Sequence, residues 1–182
     1  MSSEPILFRQ METPVGSMLI GASPRGIALL EFADRGGIER IAARILKRHG
    51  AILGEGDHPL IEKAEKQLAG YFAGRRRRFD LPLDLGGTPW QRAVWGKLLE
   101  IPYGETRSYG QMAAELGKPG ASRAVGRANG ENNVAIVVPC HRVIEASGAL
   151  RGYGGGLWRK RWLLEREGAC IPAHQEQLFE TH

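Results

Sequence analysis

Cysteine is scarce in this chain: Cys140 and Cys170 are the only two among 182 residues. Two cysteines 30 positions apart read as free thiols in a reducing compartment rather than as a disulfide framework. Histidine is nearly as sparse. His49, His58, His141, His174 and His182 stand singly, with no cysteine or carboxylate cluster at ligand spacing, so neither a zinc nor an iron site is expected. No apolar run approaches the roughly 20 residues needed to span a bilayer. The opening Met-Ser-Ser-Glu-Pro lacks the basic and apolar regions of a signal peptide, so a cytoplasmic protein with no membrane partner is expected. Internal repeats and low-complexity segments are also missing.

What is present is an ordinary globular composition, 42% hydrophobic, enough for a packed core in one domain or two small ones. A net charge of +5 favours a polyanionic partner, although a modest basic excess also occurs in proteins that bind none. The run Arg75 to Arg78 reads as a solvated loop or exposed strand face with some non-specific attraction to phosphates.

Ile6 to Met11, Val15 to Ala22 and Ile27 to Phe32 are short β-prone runs separated by turn chemistry, which predicts an antiparallel meander. Ile38, Ile41, Ile45 and Leu46 recur at helical spacing up to Gly50, and a second helix is expected from about Pro59 to Phe72. Phe79 to Leu85 alternates but contains Pro82, which suits an edge strand or an extended linker. Gly86-Gly87 marks the domain boundary. Thr88-Pro89-Trp90-Gln91 and Ser108-Tyr109-Gly110-Gln111 each offer a capping box, the first helix running through Val94, Trp95, Leu98 and Leu99 and the second to Gly117. A further short helix follows Lys118-Pro119-Gly120, and the pair fits a helix-turn-helix. Leu157 to Glu167 forms the last helix, with apolar surface from Trp158, Trp162, Leu163 and Leu164, followed by a polar tail.

Pro139-Cys140-His141-Arg142-Val143 sets a thiol beside an imidazole at the end of the apolar run Val134 to Val138. A histidine can draw the proton from a thiol, and the thiolate is the nucleophile. A free cysteine is among the most buried residue types, and on the pair alone its reading as a small hydrophobe is favoured. In an extended strand the two side chains would also point to opposite faces, so the pairing requires a turn or a bridging water. Pro139 favours the turn. Possible helpers are Asn132, Tyr153 in the glycine-rich Gly152 to Gly156, and Glu167, which could orient His141. That glycine-rich stretch lacks the Lys-Ser/Thr ending of a phosphate-binding P-loop; it can bring backbone groups against a flat ligand, with Tyr153 as one wall.

The helix after Gly120 is built from Ala121, Ser122, Ala124, Gly126 and Ala128, with Arg123 and Arg127 as its long side chains. Small residues suit either the close walls of a DNA minor groove or close helix packing, and the two readings are even on composition alone.

Taken together these segments resemble the O6-alkylguanine-DNA alkyltransferases. The resemblance rests on Pro139-Cys140-His141-Arg142-Val143-Ile144, Thr88-Pro89-Trp90-Gln91, Pro102-Tyr103-Gly104-Glu105-Thr106, Ser108-Tyr109-Gly110-Gln111, Ser122-Arg123-Ala124-Val125-Gly126 and Trp162-Leu163-Leu164 with Glu167-Gly168. It is strong over residues 88–168 and weak over the first 85. It implies an α/β protein: a ribonuclease H-like domain with a small antiparallel sheet over residues 1–85, a mostly helical domain with the helix-turn-helix over 86–168, and a tail over 169–182. The implied activity is DNA repair on double-stranded DNA, by irreversible transfer of the alkyl group of O6-alkylguanine, and of O4-alkylthymine as a second substrate, to Cys140. The base is flipped out from the minor groove, and each monomer reacts once without a cofactor.

By the same resemblance Cys140 is the acceptor, His141 its base through a water, Glu167 the partner of His141, and Asn132 an organiser of the site. Tyr109 donates a proton to the guanine ring, the carbonyls of Cys140 and Val143 accept from the exocyclic amine, and Tyr153 and Gly154 complete the substrate pocket. Gly154 stands where many relatives carry serine or alanine, so its backbone N–H is the group assigned to O6. Arg123 enters the base stack, while Gly110, Lys118, Ala121, Ala124, Gly126 and Arg127 contact DNA. The zinc-binding set of some relatives is absent. Two rival readings are a non-enzymatic binder of alkylated guanine, which would replace Cys140, usually by tryptophan, and a cysteine hydrolase using Cys140, His141 and Asn132, which would leave the helix-turn-helix without a role.

Overall fold

The computed structural model describes residues 4–150 and 152–169. The expected tail beyond Ala169, with Cys170, His174 and His182, lies outside the described residues, as does Arg151. The chain divides into two compact units. The first comprises the described residues up to Gly87 together with Asn133–Ala135, and the second comprises Thr88–Asn132 and the described residues from Ile136 onward.

In the first unit β1 (Ile6–Thr13), β2 (Gly16–Ser23) and β3 (Gly26–Phe32) form the expected antiparallel meander. The sheet is not purely antiparallel: β4 (Leu53–Glu55) pairs parallel to β1, giving the order β3-β2-β1-β4. A three-residue strand carries too little alternation to register as a period in the sequence. β3 is buried along its whole length, and its outer edge is covered. Ile27 exchanges hydrogen bonds with the Pro82–Asp84 backbone, and Leu30 does so with Asn133 and Ala135. Residues 79–85 thus fall between the two alternatives, edge strand or extended linker: the segment forms no full strand but makes one isolated parallel bridge, Leu83 with Ile27, on the edge of β3.

The helix α1 (Gly37–His49) ends at Gly50 in the left-handed conformation, as expected. Its apolar face is narrower than the spacing suggested. Ile41 and Ile45 are buried with Ile6, Leu19, Ala28 and Leu29, whereas Ile38 and Leu46 are exposed. The second helix, α2 (Pro59–Phe72), matches its expected span and buries Ile61, Ala64, Leu68, Tyr71 and Phe72.

The second unit is mostly helical. Both capping boxes form, Thr88 with Gln91 at the start of α3 (Pro89–Leu99) and Ser108 with Gln111 at the start of α4 (Tyr109–Glu115). Each satisfies two otherwise orphaned backbone N–H groups. Trp95 is fully buried and its indole N–H donates to the Ala128 carbonyl of α5 (Ser122–Gly130), which ties α3 to α5. A two-residue parallel pair, β5 (Arg107–Ser108) with β6 (Val143–Ile144), joins the segment before α4 to the segment after the thiol. The last helix, α6 (Leu157–Arg166), stops one residue before its expected end, so Glu167 is its C-cap. Of the residues expected to supply its apolar surface, Leu163 and Leu164 are buried whereas Trp158 is exposed. Among the described residues no helix is long and apolar enough to cross a membrane.

Close backbone approach at Gly26 makes a testable point. A β-carbon there would lie 2.7 Å from the Pro82 carbonyl oxygen, whereas one at Gly54 would meet nothing within 4 Å. Gly26→Ala is expected to cost roughly 1–3 kcal/mol of stability in urea unfolding, with Gly54→Ala within about 0.5 kcal/mol of the parent; equal midpoints for the two variants would contradict the packing described.

Candidate active site

Cys140 opens a single turn of 3₁₀ helix, Cys140–Arg142, and does not continue a strand. Pro139 makes the turn possible: its carbonyl accepts from Arg142 N–H, and the Cys140 N–H bonds back to the Val138 carbonyl. Two asparagines fix the backbone here. Asn132 Nδ2 donates to the Val138 carbonyl at 2.9 Å and Asn129 Nδ2 to the Cys140 carbonyl at 3.2 Å. Just upstream, Ile136 holds φ 72°, a left-handed conformation that costs a β-branched residue about 1–3 kcal/mol. The surrounding contacts therefore over-determine the path of the chain into the thiol.

His141 is fully buried, and its Nε2 lies 2.8 Å from Glu167 Oε2. Glu167 is gripped from a second side by Arg142, whose Nε donates to Oε1 at 2.8 Å and whose terminal nitrogen donates to Oε2 at 3.1 Å. The other terminal nitrogen of Arg142 donates to the Ile101 carbonyl at 2.7 Å. Burial pushes the Glu167 carboxyl up, but His141 and Arg142 outweigh burial and hold it at about 2, so it is ionised. Burial, with the nearby charges of Arg142 and Lys160, keeps the imidazole below its ordinary value against the pull of Glu167. A neutral imidazole bonded to a carboxylate must carry its proton on the bonded nitrogen. Nδ1 is then the unprotonated nitrogen; it is buried and has no hydrogen-bond partner.

Tyr109 is the first residue of α4 and is partly buried. A β-carbon at Gly152 would lie 3.5 Å from its hydroxyl, and one at Gly126 would lie 3.6 Å from its ring. The phenol thus sits against α5 and the start of the glycine-rich loop. Burial, with Glu145 and Cys140 nearby, pushes Tyr109 up to about 12, so it stays a proton donor. Lys160 of α6 is fully buried and donates to the Val143 carbonyl at 2.6 Å. Burial brings it down to about 8 against the pull of Cys140 and Glu145. Tyr109 and Lys160 therefore both fall within electrostatic reach of the thiol.

The structure accordingly brings together Cys140, His141, Glu167, Asn132, Tyr109 and Val143. The Cys140 carbonyl already accepts from Val143 N–H and Asn129, while the Val143 carbonyl accepts from Lys160 and keeps a second acceptor position. Tyr153 is half-buried and Gly154 exposed in the loop before α6. Gly110, Lys118, Arg123, Ala124 and Arg127 are exposed, and Ala121 and Gly126 partly so, along α4, α5 and their connection. Arg127 pairs with Glu131 at 3.5 Å, and the Ala124 carbonyl accepts from the Trp90 indole. A Cys140–His141–Asn132 hydrolase arrangement is not formed, because His141 is bonded to Glu167 and Asn132 Nδ2 to a carbonyl. Among the described residues no group of three or more His, Cys, Asp or Glu could hold a metal ion.

Three contributors escape a reading by residue type: Arg142, Asn129 and Lys160. Lys160 did leave a signal, since Lys160, Leu163, Leu164 and Glu167 share one helical face, and a lysine on a stripe whose leucines are buried calls for an explanation.

Comparison with known proteins gives a consistent picture. Residues 6–85 match the family described as 6-O-methylguanine DNA methyltransferase, ribonuclease-like domain, and residues 89–169 match the 6-O-methylguanine DNA methyltransferase, DNA binding domain. The chain is 47% identical to the methylated-DNA–protein-cysteine methyltransferase of Mycobacterium leprae over 159 residues, which is 87% of this chain and 90% of that protein. It is 63% identical to the protein of the same name from Mycobacterium tuberculosis over 110 residues, 60% of this chain and 67% of that one. The crystal structure of Mycobacterium tuberculosis OGT in complex with DNA superposes with a TM-score of 0.76 at 45% identity, covering 94% of this chain and 98% of that one.

The depressed carboxyl of Glu167 gives an acid dependence with a definite sign. Its contribution to stability is complete above the usual carboxylate range and is lost as pH falls toward about 2. Urea unfolding of the parent is expected to lose on the order of 3 kcal/mol from this group between about pH 5 and about pH 2. Glu167→Gln should show a shallower acid slope, and identical slopes would remove Glu167 as a strongly shifted group.

Proposed function

Because the chain belongs to the 6-O-methylguanine DNA methyltransferase family, we propose that it repairs DNA by moving the alkyl group of O6-alkylguanine in a duplex to the sulfur of Cys140. The observation that carries this reading is Nδ1 of His141, buried without a hydrogen-bond partner in the residue next to the thiol while Nε2 lies 2.8 Å from Glu167.

The chemistry follows from that arrangement. The thiol proton passes through a water to Nδ1, and Glu167 stabilises the imidazolium that results. Lys160 adds positive charge that favours the thiolate. The sulfur attacks the alkyl carbon in line, an S–C bond forms, the C–O6 bond breaks, and the electron pair moves onto the guanine. Tyr109, kept protonated by its raised pKa, donates to the ring as that charge develops and is reprotonated at the expense of the His141 imidazolium through solvent, so the thiol proton ends on neutral guanine and both residues return to their starting forms. The Val143 carbonyl accepts from the exocyclic amine, the Gly154 N–H meets O6, and Tyr153 walls the pocket. The product is a thioether, which does not hydrolyse under these conditions, so each molecule reacts once.

A base inside a duplex cannot reach a buried thiol, and extruding it costs about a few kcal/mol. We assign that work to α4 and α5 acting as a helix-turn-helix, with the first unit as the ribonuclease H-like domain. Ala121, Ala124 and Gly126 allow α5 to approach the minor-groove walls, and exposed Arg123 at its start fills the gap left in the stack. Gly110, Lys118 and Arg127 lie on the exposed surface of the same segment and contact the backbone. O4-alkylthymine presents the same alkyl–oxygen bond and is assigned as a second substrate.

The test is to incubate the protein with a duplex carrying radiolabelled O6-methylguanine and map the label after proteolysis. One methyl group per chain on the Cys140 peptide is expected, and Cys140→Ser should transfer none while still binding the duplex. Catalytic release of the label to solvent, or label on another peptide, would refute the acceptor role.

A further inference from the structure

We infer that the first unit carries its own binding surface for the phosphate backbone of duplex DNA, formed by the arginine run Arg75–Arg78. Arg75, Arg77 and Arg78 are exposed and Arg76 partly so. Among the described residues, neither Arg75 nor Arg78 is paired with a carboxylate. The nearest acidic residue in sequence, Asp80, is turned to Lys63 at 3.5 Å. Four adjacent guanidinium groups repel one another, and a mobile loop would relieve that repulsion by spreading them.

This loop is fastened at both ends instead. The N–H groups of Arg75 and Arg76 both donate to the Gly70 carbonyl of α2, at 2.9 and 3.1 Å. A β-carbon at Gly70 would come within 3.3 Å of the Arg76 side chain, so the glycine lets the run lie flat on the helix. At the far end the buried Gln67 amide clasps both backbone groups of Asp80, donating to its carbonyl at 3.0 Å and accepting from its N–H at 2.9 Å. Between the fastenings the Arg76 guanidinium donates to the Arg78 carbonyl at 2.8 Å, and the Phe79 ring packs on buried Tyr71 with centroids 5.6 Å apart. The carbonyl end of α2, which has no basic residue in its last turn, offsets part of the repulsion.

A rigid display of like charges is costly alone and favourable against a polyanion. Guanidinium forks match phosphate oxygens in geometry as well as charge, and a pre-ordered loop loses little entropy on binding. The inference rests on the DNA-directed reading above for the identity of that polyanion. Interactions of this kind carry no sequence information; they hold undamaged DNA and show themselves as salt dependence.

The experiment compares the full chain with a triple variant, Arg75→Gln, Arg77→Gln and Arg78→Gln, that keeps Arg76 and its loop hydrogen bond. Affinity for an undamaged duplex is measured from low to moderate KCl. The slope of log K against log salt is expected to become shallower by about 0.9 for each phosphate left unneutralised, up to about 2.7 in all. Lysine at the same three positions should restore the slope. Glutamine at exposed Arg40, Lys47 and Lys66, which removes the same charge elsewhere on the unit, should leave it unchanged. Reaction with the free base O6-benzylguanine should proceed at the parent rate in every variant. An unchanged slope in the arginine variant, or an equal change in both glutamine triples, overturns the inference. Failure of the alkyl-transfer reading would appear separately, as no transfer from the free base to the parent protein.

Discussion

The buried carboxylate of Glu167 is the constraint on which the rest of the site depends. A charge at 5% exposure is tolerable only when its oxygens are filled, and here Arg142 and His141 fill them from two sides. That one requirement fixes several others. Arg142 must be buried and directs its other terminal nitrogen to the Ile101 carbonyl, which ties the loop after α3 to the turn that carries the thiol. His141 must present Nε2 to the carboxylate, so its other nitrogen is left to take a proton.

The fold exists around this constraint in a recognisable order. The C-cap of α6 delivers Glu167, the 3₁₀ turn delivers Cys140, His141 and Arg142 from three successive positions, and α5 with the stretch after it supplies the asparagines that hold the turn. Lys160 completes the arrangement one face-length earlier on α6, bonded to the Val143 carbonyl. The asparagine contacts are local, but those of Glu167 with His141 and Arg142 and of Arg142 with Ile101 link segments 25 to 41 positions apart, which is why a cysteine beside a histidine carries little meaning until the last helix is placed.

Much of the scaffold was legible in the sequence because its signals are local. The capping boxes at Thr88 and Ser108, the bounds of α2 and the β1–β3 meander all follow from residues within a few positions of each other. What could not be read depends on partners distant in the chain. The parallel strand β4 is three residues long, Ile38 and Leu46 sit on a helical stripe wider than the surface available to cover it, and Trp158 faces outward although its neighbours Leu163 and Leu164 face in. Within the site, motif and resemblance name Cys140, His141 and Glu167, and the structure sets His141 against Glu167. Arg142 and Asn129 are given no part by either, because their roles consist of hydrogen bonds to a carboxylate and a carbonyl that only the folded chain brings within reach.

The central claim is that burial and Glu167 leave His141 neutral, with its proton on Nε2 and its lone pair on Nδ1. Nitrogen-15 NMR of the histidine ring in the unreacted protein at neutral pH tests it most directly. The expected spectrum shows a single neutral tautomer for His141, protonated at Nε2 and bare at Nδ1. A proton on Nδ1, or an imidazolium at neutral pH, would contradict it, since no base would then be available to the thiol.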